Sequence, residues 1–263
     1  MYLKTFASGS SGNCTLVGTE DAAVLIDAGI STKRIEDSLK ESRVDADALS
    51  GILLTHEHID HVTGLRVFLK HHPVPVYASR GTIHSILHSE KDLDRSLFHE
   101  VAPDSTFQAG IFEVESFPVS HDAAEPFSYR ITSGSKSAAL MTDLGLFTPA
   151  HTAFLKGVNA LVLEANHDIR MLEAGSYPYA LKRRILSDFG HLSNENSGKL
   201  LLSVLHPDLK VCVLAHLSEE NNLPELALLS VKNEIDLSEG AFVSSDFLIE
   251  AAPRDTMSRK YEF

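Results

Sequence analysis

The chain has 263 residues, 43% of them hydrophobic, which is enough to bury a substantial core without disulfides or other staples. A formal net charge of −13 argues against a general nucleic-acid coat, because such binding depends on Lys and Arg displacing counterions. Cys14 and Cys212 form no CxxC pair, which argues against a disulfide framework and fits a reducing cytoplasm. With no signal peptide and no membrane span in the sequence, we expect a cytoplasmic protein.

Short β-branched and apolar runs predict strands along both halves of the chain. In chain order these are Tyr2–Phe6, Cys14–Val17, Ala23–Asp27, Gly51–Leu54, Val74–Tyr77, Phe112–Pro118, Phe127–Thr132, Ala138–Thr142, Ala160–Leu163 and Val211–Leu214. Helix signals predict helices near Val62–Leu69, from Thr148-Pro149 to Leu155, after Pro178, after Ser193, and over "NLPELALLSVKNEI". The polar tail "APRDTMSRKYEF" is expected to pack on the surface or to fray.

The order of these elements, strands then helix in two rounds, favours an α+β fold over a doubly wound parallel sheet. We predict a four-layer αββα sandwich, in which two packed β-sheets carry helices on their outer faces. No linker rich in Pro, Gly or Ser divides the chain, and no short-period repeat is present. We therefore predict a single hydrolase domain over residues 1–263.

The segment "THEHIDH", residues 55–61, concentrates metal-ligand side chains directly after a predicted buried strand. Its imidazoles and carboxylate are those of His56, His58, Asp60 and His61. Because residues two apart in an extended segment project to one side, the first pair can serve one ion and the second pair another. The alternative is a set of solvated loop histidines or helix caps, which the density of the cluster and the total of 14 histidines disfavour.

Three further apolar runs end in a side chain that can bind a metal. These are "FPVSHD" with His121, "AALMTDLG" with Asp143 and "VCVLAHLSEEN" with His216. Taken singly, each is also an ordinary polar residue at a strand end. Together with the histidine-rich segment they predict a metal centre, since imidazole and carboxylate are ligands that suit Zn, Mn or Fe.

The segments "LIDAG", "THEHIDH", "VSHD", "MTDLG" and "LAHLS" resemble, in order, the five motifs of the metallo-β-lactamase superfamily. That resemblance implies two divalent metal ions. The ligands it implies are His56, His58 and His121 for one ion, Asp60, His61 and His216 for the other, and Asp143 as the bridge. It further implies that Asp60 helps to position the attacking water and that Asp27 supports the ligand loop from behind; alternatively, Asp27 only forms a turn before Gly29.

Two departures separate this ligand set from other branches of the superfamily. The bridging position carries Asp143 rather than the Cys of true β-lactamases, and His58 stands where flavodiiron oxygen reductases carry Glu. Glyoxalase II-like thioesterases share the set, so the ligands alone do not name a substrate.

The segments "ALVLEANHD" and "FGHLSNENS" resemble the relay motifs of the ribonuclease Z and β-CASP phosphodiesterases. This resemblance implies that Glu164 orients His191 and that His191 acts as the general acid for the departing alkoxide. Such an acid is worth about 10²–10⁴-fold in rate when the leaving group is strongly basic. A helix-terminal His191 that only bonds to neighbouring backbone is the alternative. Asn166 and His167 are predicted at the rim of the site, as substrate contacts or as structural loop residues.

The loop "SGSSGN", residues 8–13, has glycines and hydroxyl groups that could cradle a phosphate, and it lacks the Lys of a nucleotide-binding P-loop. We predict substrate contacts from Ser10 and Asn13; a plain tight connection between two strands is equally compatible with the sequence.

Taken together, these segments resemble the YycJ/WalJ (VicX) branch of the superfamily. The resemblance implies a cytoplasmic metal-dependent 5′-to-3′ exonuclease on double-stranded DNA, with a functional link to a cell-wall two-component system. The one dense basic run, Lys182 to Arg184, is either a DNA contact or a solvated helix face. Two rival functions stay open: a hydrolase of a cyclic phosphodiester or thioester, and a metal-loaded regulatory protein without turnover. The oligomeric state is left open by the sequence.

Overall fold

The computed structural model describes residues 1–263. Its strands are β1 Tyr2–Ala7, β2 Cys14–Gly18, β3 Ala23–Ile26, β4 Gly51–Leu53, β5 Val76–Ser79, β6 Phe98–Val101, β7 Thr106–Ala109, β8 Phe112–Pro118, β9 Phe127–Ser133, β10 Lys136–Met141, β11 Ala160–Glu164, β12 Val211–Ala215, β13 Leu248–Ala251 and β14 Tyr261–Glu262. Its helices are α1 Thr32–Glu41, α2 Ile59–Val62, α3 Leu65–His71, α4 Arg80–Ser89, α5 Pro149–Leu155, α6 Ile169–Ala174, α7 Tyr179–Ile185, α8 Asn194–Val204 and α9 Pro224–Asp236. No helix has the length and apolar character needed to cross a membrane.

The chain divides into two compact units that alternate along the sequence. The first unit comprises Met1–Pro118, Ala123–Lys136 and Pro253–Glu262, and the second comprises Val119–Asp122, Ser137–Ala252 and Phe263. The prediction of one domain over residues 1–263 stays a prediction.

The first unit is built on a mixed sheet with the strand order β14-β1-β2-β3-β4-β5-β6. Strands β14 to β3 pair antiparallel, whereas β3 to β6 pair in parallel through the helical crossovers between them. The same unit contains the antiparallel ladder β7-β8-β9. Its core includes Phe6, Leu25, Ile52 and Phe68, all fully buried, so the strand before residue 55 is held firmly on both faces.

The second unit contains the parallel strands β10, β11, β12 and β13 in that order. β10, β11 and β12 are buried along almost their whole length, as parallel strands covered on both faces generally are, whereas the edge strand β13 is partly exposed. Helices α8 and α9 pack together, and Gly198 allows the close approach, because a methyl group there would lie 2.7 Å from the Glu234 side chain. Adjacent parallel strands end at one edge of a sheet, which gathers the residues that follow them.

All ten predicted strands are present, with shifts of one or two residues at their ends. β5 begins at Val76 rather than Val74, since Pro75 has no N–H to donate to a neighbouring strand. The strands missed are β6, β7, β13 and β14, which are short and half exposed and so show little apolar pattern.

Helix prediction was less complete. α5, α8 and α9 match their predicted spans, with Ser193 capping α8 by accepting from Asn196 N–H at 3.2 Å. The helix expected near Val62–Leu69 starts at Ile59 and is interrupted before Leu65, and the one after Pro178 stops at Ile185. α1, α4 and α6 were not predicted.

The polar tail does not fray. Tyr261 is buried in β14, which pairs with Leu3 of β1, and the Ser258 hydroxyl accepts from the Thr5 N–H at 3.0 Å. Of the two outcomes predicted for the tail, it packs on the protein and does not fray, because backbone pairing with β1 orders a segment whose side chains alone give no signal.

Gly29 allows the histidine-rich segment to lie directly against the turn after β3. The Gly29 N–H donates to the Asn13 carbonyl at 2.8 Å, and the Ala28 N–H donates to the His61 carbonyl at 2.9 Å. A Cβ atom at position 29 would lie 1.7 Å from the Asp60 carbonyl oxygen, which no rotamer change can relieve.

We predict that Gly29→Ala lowers the midpoint of urea unfolding, by the equivalent of at least about 1–3 kcal/mol, because backbone must move to admit the methyl group. The matched control is Gly240→Ala, where the nearest atom is the movable Ser238 hydroxyl at 3.1 Å, and its midpoint should stay near that of the parent. Equal midpoints for the two variants would contradict the conclusion that the close approach of Asp60 requires glycine at position 29.

Candidate metal centre

The predicted metal ligands and the predicted relay pair form two clusters, one in each unit. The loop cluster lies in the first unit and consists of His56, His58, Asp60 and His61. The strand-end cluster lies in the second unit and consists of His121, Asp143, Glu164, His191 and His216.

The loop cluster follows β4 and runs into α2. The ring centroids of His56 and His58 are 4.5 Å apart, and those of His56 and His61 are 4.1 Å apart. The Asp60 Oδ2 atom lies 3.4 Å from the His61 Nε2 atom. Two ligands on a tetrahedral ion with bonds of about 2.0–2.1 Å are roughly 3.3 Å apart, so this pair fits one ion.

Asp27 fixes the orientation of His61 from behind. Its buried carboxylate accepts from the Thr55 N–H at 2.8 Å, from the Thr55 hydroxyl at 2.9 Å and from His61 Nδ1 at 2.8 Å. Burial raises the pKa of the Asp27 carboxyl, while the contacts with His61 and Thr55 oppose that rise. With its proton on Nδ1, His61 keeps the lone pair of Nε2 for a ligand.

Asn13 contacts the ligand atoms of the loop cluster directly. Its side-chain Nδ2 lies 3.2 Å from His61 Nε2 and 3.3 Å from Asp60 Oδ2, and its backbone N–H donates to the Asp60 carbonyl at 2.8 Å. An Asn N–H donated to His61 Nε2 requires an unprotonated Nε2, in agreement with the tautomer that Asp27 selects. Ser10, in the same loop, is exposed to solvent.

The strand-end cluster is assembled by parallel strands. Asp143 follows β10, Glu164 ends β11 and His216 follows β12, while His191 lies shortly before α8. The ligand atoms of these four residues all lie within 4.8 Å of one another. Sequence order alone does not bring residues from 143 to 216 together; the strand order does.

Glu164 is the central group of this cluster. Its Oε1 atom accepts from His191 Nδ1 at 2.8 Å and from His216 Nδ1 at 2.9 Å, and its Oε2 atom accepts from the N–H groups of Leu144 at 3.0 Å and Leu192 at 2.9 Å. Burial raises the pKa of the Glu164 carboxyl, but the charge of His191 and the bonds from both imidazoles outweigh it and hold that pKa below its usual range. A fully buried carboxylate is thereby kept ionised.

His121 is held in the same way by a backbone carbonyl. Its Nδ1 lies 3.2 Å from the Gly190 carbonyl oxygen, and its Nε2 lies 3.7 Å from Asp143 Oδ1. Burial lowers the pKa of His121, which favours the neutral imidazole that a metal requires.

The donor atoms fit divalent ions. His61, His121 and His216 each have Nδ1 engaged by a carboxylate or a carbonyl oxygen, which leaves Nε2 as the ligand atom. This arrangement is typical of metal-binding histidines, whose other nitrogen is oriented by an outer hydrogen bond.

Strained backbone occurs at two residues of the strand-end cluster and at Asp27, which supports the loop cluster. Asp27, Asp143 and His216 have φ angles of 60°, 57° and 55°, in the left-handed region that residues with a Cβ seldom adopt. Such strain is of order 1–3 kcal/mol per residue and is concentrated at functional sites. At these three positions the left-handed conformation turns the backbone sharply after a strand, so that the polar side chain stays at the strand end.

Asn166 and His167 are buried and do not lie at an exposed rim where they could contact a substrate. The Asn166 side-chain amide donates to the His216 carbonyl at 2.8 Å and so holds the backbone of a predicted ligand. His167 is almost fully buried with no hydrogen-bond partner on either ring nitrogen, and burial lowers its pKa to about 4.

Most of the basic run is already engaged within the protein. Lys182 donates to the carbonyls of Glu173 at 2.8 Å and Gly175 at 2.7 Å, and Arg184 pairs with Asp122. These contacts favour a structural role for two of the three cations.

Sequence reasoning missed two supporting groups. Thr55 supplies two hydrogen bonds to Asp27, and Gly190 supplies the carbonyl that orients His121. A hydroxyl residue directly before the first histidine was a usable signal for Thr55. A backbone carbonyl has no signature in the sequence. The structure does show why residue 190 is a glycine, since a Cβ there would lie 2.1 Å from the Ile185 carbonyl oxygen.

The chain is similar to several known proteins. Residues 22–213 match the family described as beta-lactamase superfamily domain. Exodeoxyribonuclease YycJ of Bacillus anthracis is 42% identical over 90% of this chain and 89% of its own. Exodeoxyribonuclease WalJ of Streptococcus pneumoniae is 38% identical over 95% of this chain and 93% of its own. The metallo-β-lactamase fold protein YhfI of Bacillus subtilis superposes with a TM-score of 0.69 at 18% identity, covering 98% of each chain.

These findings confirm the predicted fold class and the resemblance to the YycJ/WalJ branch. Two mixed β-sheets with helices around them are the metallo-β-lactamase fold, and the relatives extend over nearly all of the chain. The protein is a member of the β-lactamase superfamily.

Proposed function

We propose that this protein is a metal-dependent phosphodiesterase that acts as a 5′-to-3′ exonuclease on double-stranded DNA. The observation that carries the proposal is the hydrogen bond of 2.8 Å between Glu164 and His191, a relay suited to protonating a basic leaving group. Relatives that cover most of this chain, at 42% and 38% identity, are named exodeoxyribonucleases.

The proposal assigns the predicted ligands to two ions. His56, His58 and His121 would hold one ion, Asp60, His61 and His216 the other, and Asp143 would bridge them. Support comes from each cluster by itself: Asp60 and His61 are spaced for a shared ion, and His121 and His216 carry their protons on Nδ1. Zn, Mn and Fe all suit this donor set.

When bound, two such ions supply Lewis acidity and an activated water as the nucleophile. Asp60 would orient that water, and the remaining chemistry rests on His191. With Nδ1–H donated to the ionised Glu164, the His191 ring can carry a second proton on Nε2 and deliver it to the departing sugar oxygen. His191 keeps 14% of its side chain exposed, so a substrate can reach it.

A net charge of −13 is compatible with a DNA substrate if the enzyme binds only a DNA end, which needs few phosphate contacts. With Lys182 and Arg184 engaged internally, Arg183 is the member of the basic run best placed to contact phosphate. Ser10 and Asn13 are proposed as substrate contacts beside the loop cluster. For Asn166 and His167 the burial favours positioning of the site over direct contact. The cytoplasmic location and the link to a two-component system stay predictions.

We predict that His191→Ala keeps its metal content but lowers hydrolysis of duplex DNA about 10²–10⁴-fold. Hydrolysis of bis-p-nitrophenyl phosphate should fall far less, because p-nitrophenolate departs without a proton. Steady-state rates on both substrates, with elemental analysis of each preparation, check this expectation.

The matched control is His206→Ala, another half-buried histidine, whose Nε2 donates to the Val158 carbonyl at 2.9 Å and whose Nδ1 accepts from the Asp208 N–H at 3.3 Å. It should leave both rates near those of the parent protein. An equal loss on both substrates for His191→Ala would remove His191 from leaving-group protonation.

We predict different behaviour for the two carboxylates that orient histidines. Among the predicted ligands Asp27 is hydrogen-bonded to His61, and its other bonds are to Thr55, so for Asp27→Asn the metal affinity should fall about 10–100-fold and excess metal should restore DNA hydrolysis. Glu164→Gln disturbs both His216 and His191, so excess metal should refill the site while hydrolysis stays low. Full recovery of Glu164→Gln at saturating metal, measured by chelator-buffered titration, would contradict the relay.

A further inference from the structure

A second group of metal-type side chains lies in the first unit, outside the loop cluster. It consists of Glu36 on α1, His71 at the end of α3 and His72 directly after it, with Asp47 in the 3₁₀ turn Ala46–Ala48 beside them. One ligand atom from each of Glu36, His71 and His72 lies within 4.8 Å of the other two. No step of the proposed hydrolysis uses these residues.

The spacing of these atoms is close to that of ligands on a tetrahedral ion. His72 Nε2 lies 3.3 Å from Glu36 Oε1, and His71 Nδ1 lies 2.8 Å from the same oxygen. A tetrahedral ion with bonds of about 2.0–2.1 Å needs roughly 3.3 Å between ligands. His71 is more than half exposed, so a small rotation of its side chain opens the shorter distance.

Asp47 gives an independent reason to regard His72 as a ligand. Its Oδ1 atom lies 2.7 Å from His72 Nδ1, so Nδ1 donates to Asp47 and Nε2 is the ring nitrogen turned toward Glu36. The His72 ring is also held against Phe68, with ring centroids 5.0 Å apart. A carboxylate that orients an imidazole in this way is the usual outer partner of a metal-binding histidine.

The site would join three separate elements. α1 packs against α3 and against the 3₁₀ turn, and the four side chains come from these elements. Hydrogen bonding by His71 holds the pKa of the Glu36 carboxyl below its usual value, so the oxygen is ionised at neutral pH. An ion here would fasten the end of α3, the helix that follows the loop cluster.

We propose that Glu36, His71 and His72 bind a Zn²⁺-type divalent ion, with Asp47 orienting His72 and water completing the tetrahedron. Two imidazoles and one carboxylate favour Zn²⁺ over Mg²⁺ or Ca²⁺, which prefer oxygen ligands. This site is independent of the proposed nuclease centre.

The test is the Zn²⁺ content of the full-length protein after dialysis against a chelator-buffered Zn²⁺ solution. The parent should hold one equivalent more per chain than His72→Ala, and Glu36→Gln, which preserves side-chain volume, should show the same loss. Asp47→Asn should retain the site with a Zn²⁺ dissociation constant about 10–100-fold higher.

The matched control is His99→Ala, which removes an exposed histidine that stacks on Tyr77, and it should bind as much Zn²⁺ as the parent. Circular dichroism establishes that each variant is folded before its metal is counted. Equal Zn²⁺ content in the parent, His72→Ala and Glu36→Gln would overturn the proposal, since the four side chains would then form only hydrogen-bonded ion pairs.

Discussion

Two buried carboxylates set the geometry on which both clusters depend. A carboxylate can be buried only if its oxygens are hydrogen-bonded, because an unpaired buried charge is strongly destabilising. Asp27 meets this need with Thr55 and His61, and Glu164 meets it with two imidazoles and two backbone N–H groups. The same bonds that satisfy these carboxylates fix the histidine tautomers. The hydrogen bonds that allow these carboxylates to be buried therefore also leave the Nε2 atoms of the histidines available to bind metal.

The backbone conformation of the second unit also helps to bring the metal-binding side chains together. Glu164 pairs in register with Ala215, and Leu163 with Met141, so the ends of β10, β11 and β12 lie side by side. Beyond those ends the chain turns through left-handed φ angles at Asp143 and His216, which keeps their side chains at the sheet edge. The strain of those turns is offset by the stability of buried parallel strands. The polar residues are therefore placed at the ends of buried, hydrogen-bonded strands of the second unit.

Much of the metal chemistry could be predicted from sequence because it rests on residue types with few other uses. Four ligand-type residues within "THEHIDH" are hard to explain otherwise, and the ten predicted strands placed the remaining candidates at strand ends. The features of the site that could not be predicted depend on the backbone and not on side-chain type. The Gly190 carbonyl, the close approach at Gly29 and the left-handed turns have no side-chain signature. The depth of Asn166 and His167 was also hidden, since burial depends on neighbours distant in the chain.

The proposed hydrolysis of DNA depends on metal held by residues of both clusters. The most direct test is to remove all metal with a chelator, add back Zn²⁺ or Mn²⁺ in steps, and follow release of label from a 5′-labelled duplex. We expect no release of label without metal and mononucleotide products from the 5′ end once metal is added. The rate of release should rise with added metal and level off when the predicted ligands are filled. Undiminished release from the metal-free protein, or no release at any metal content, would contradict this proposal.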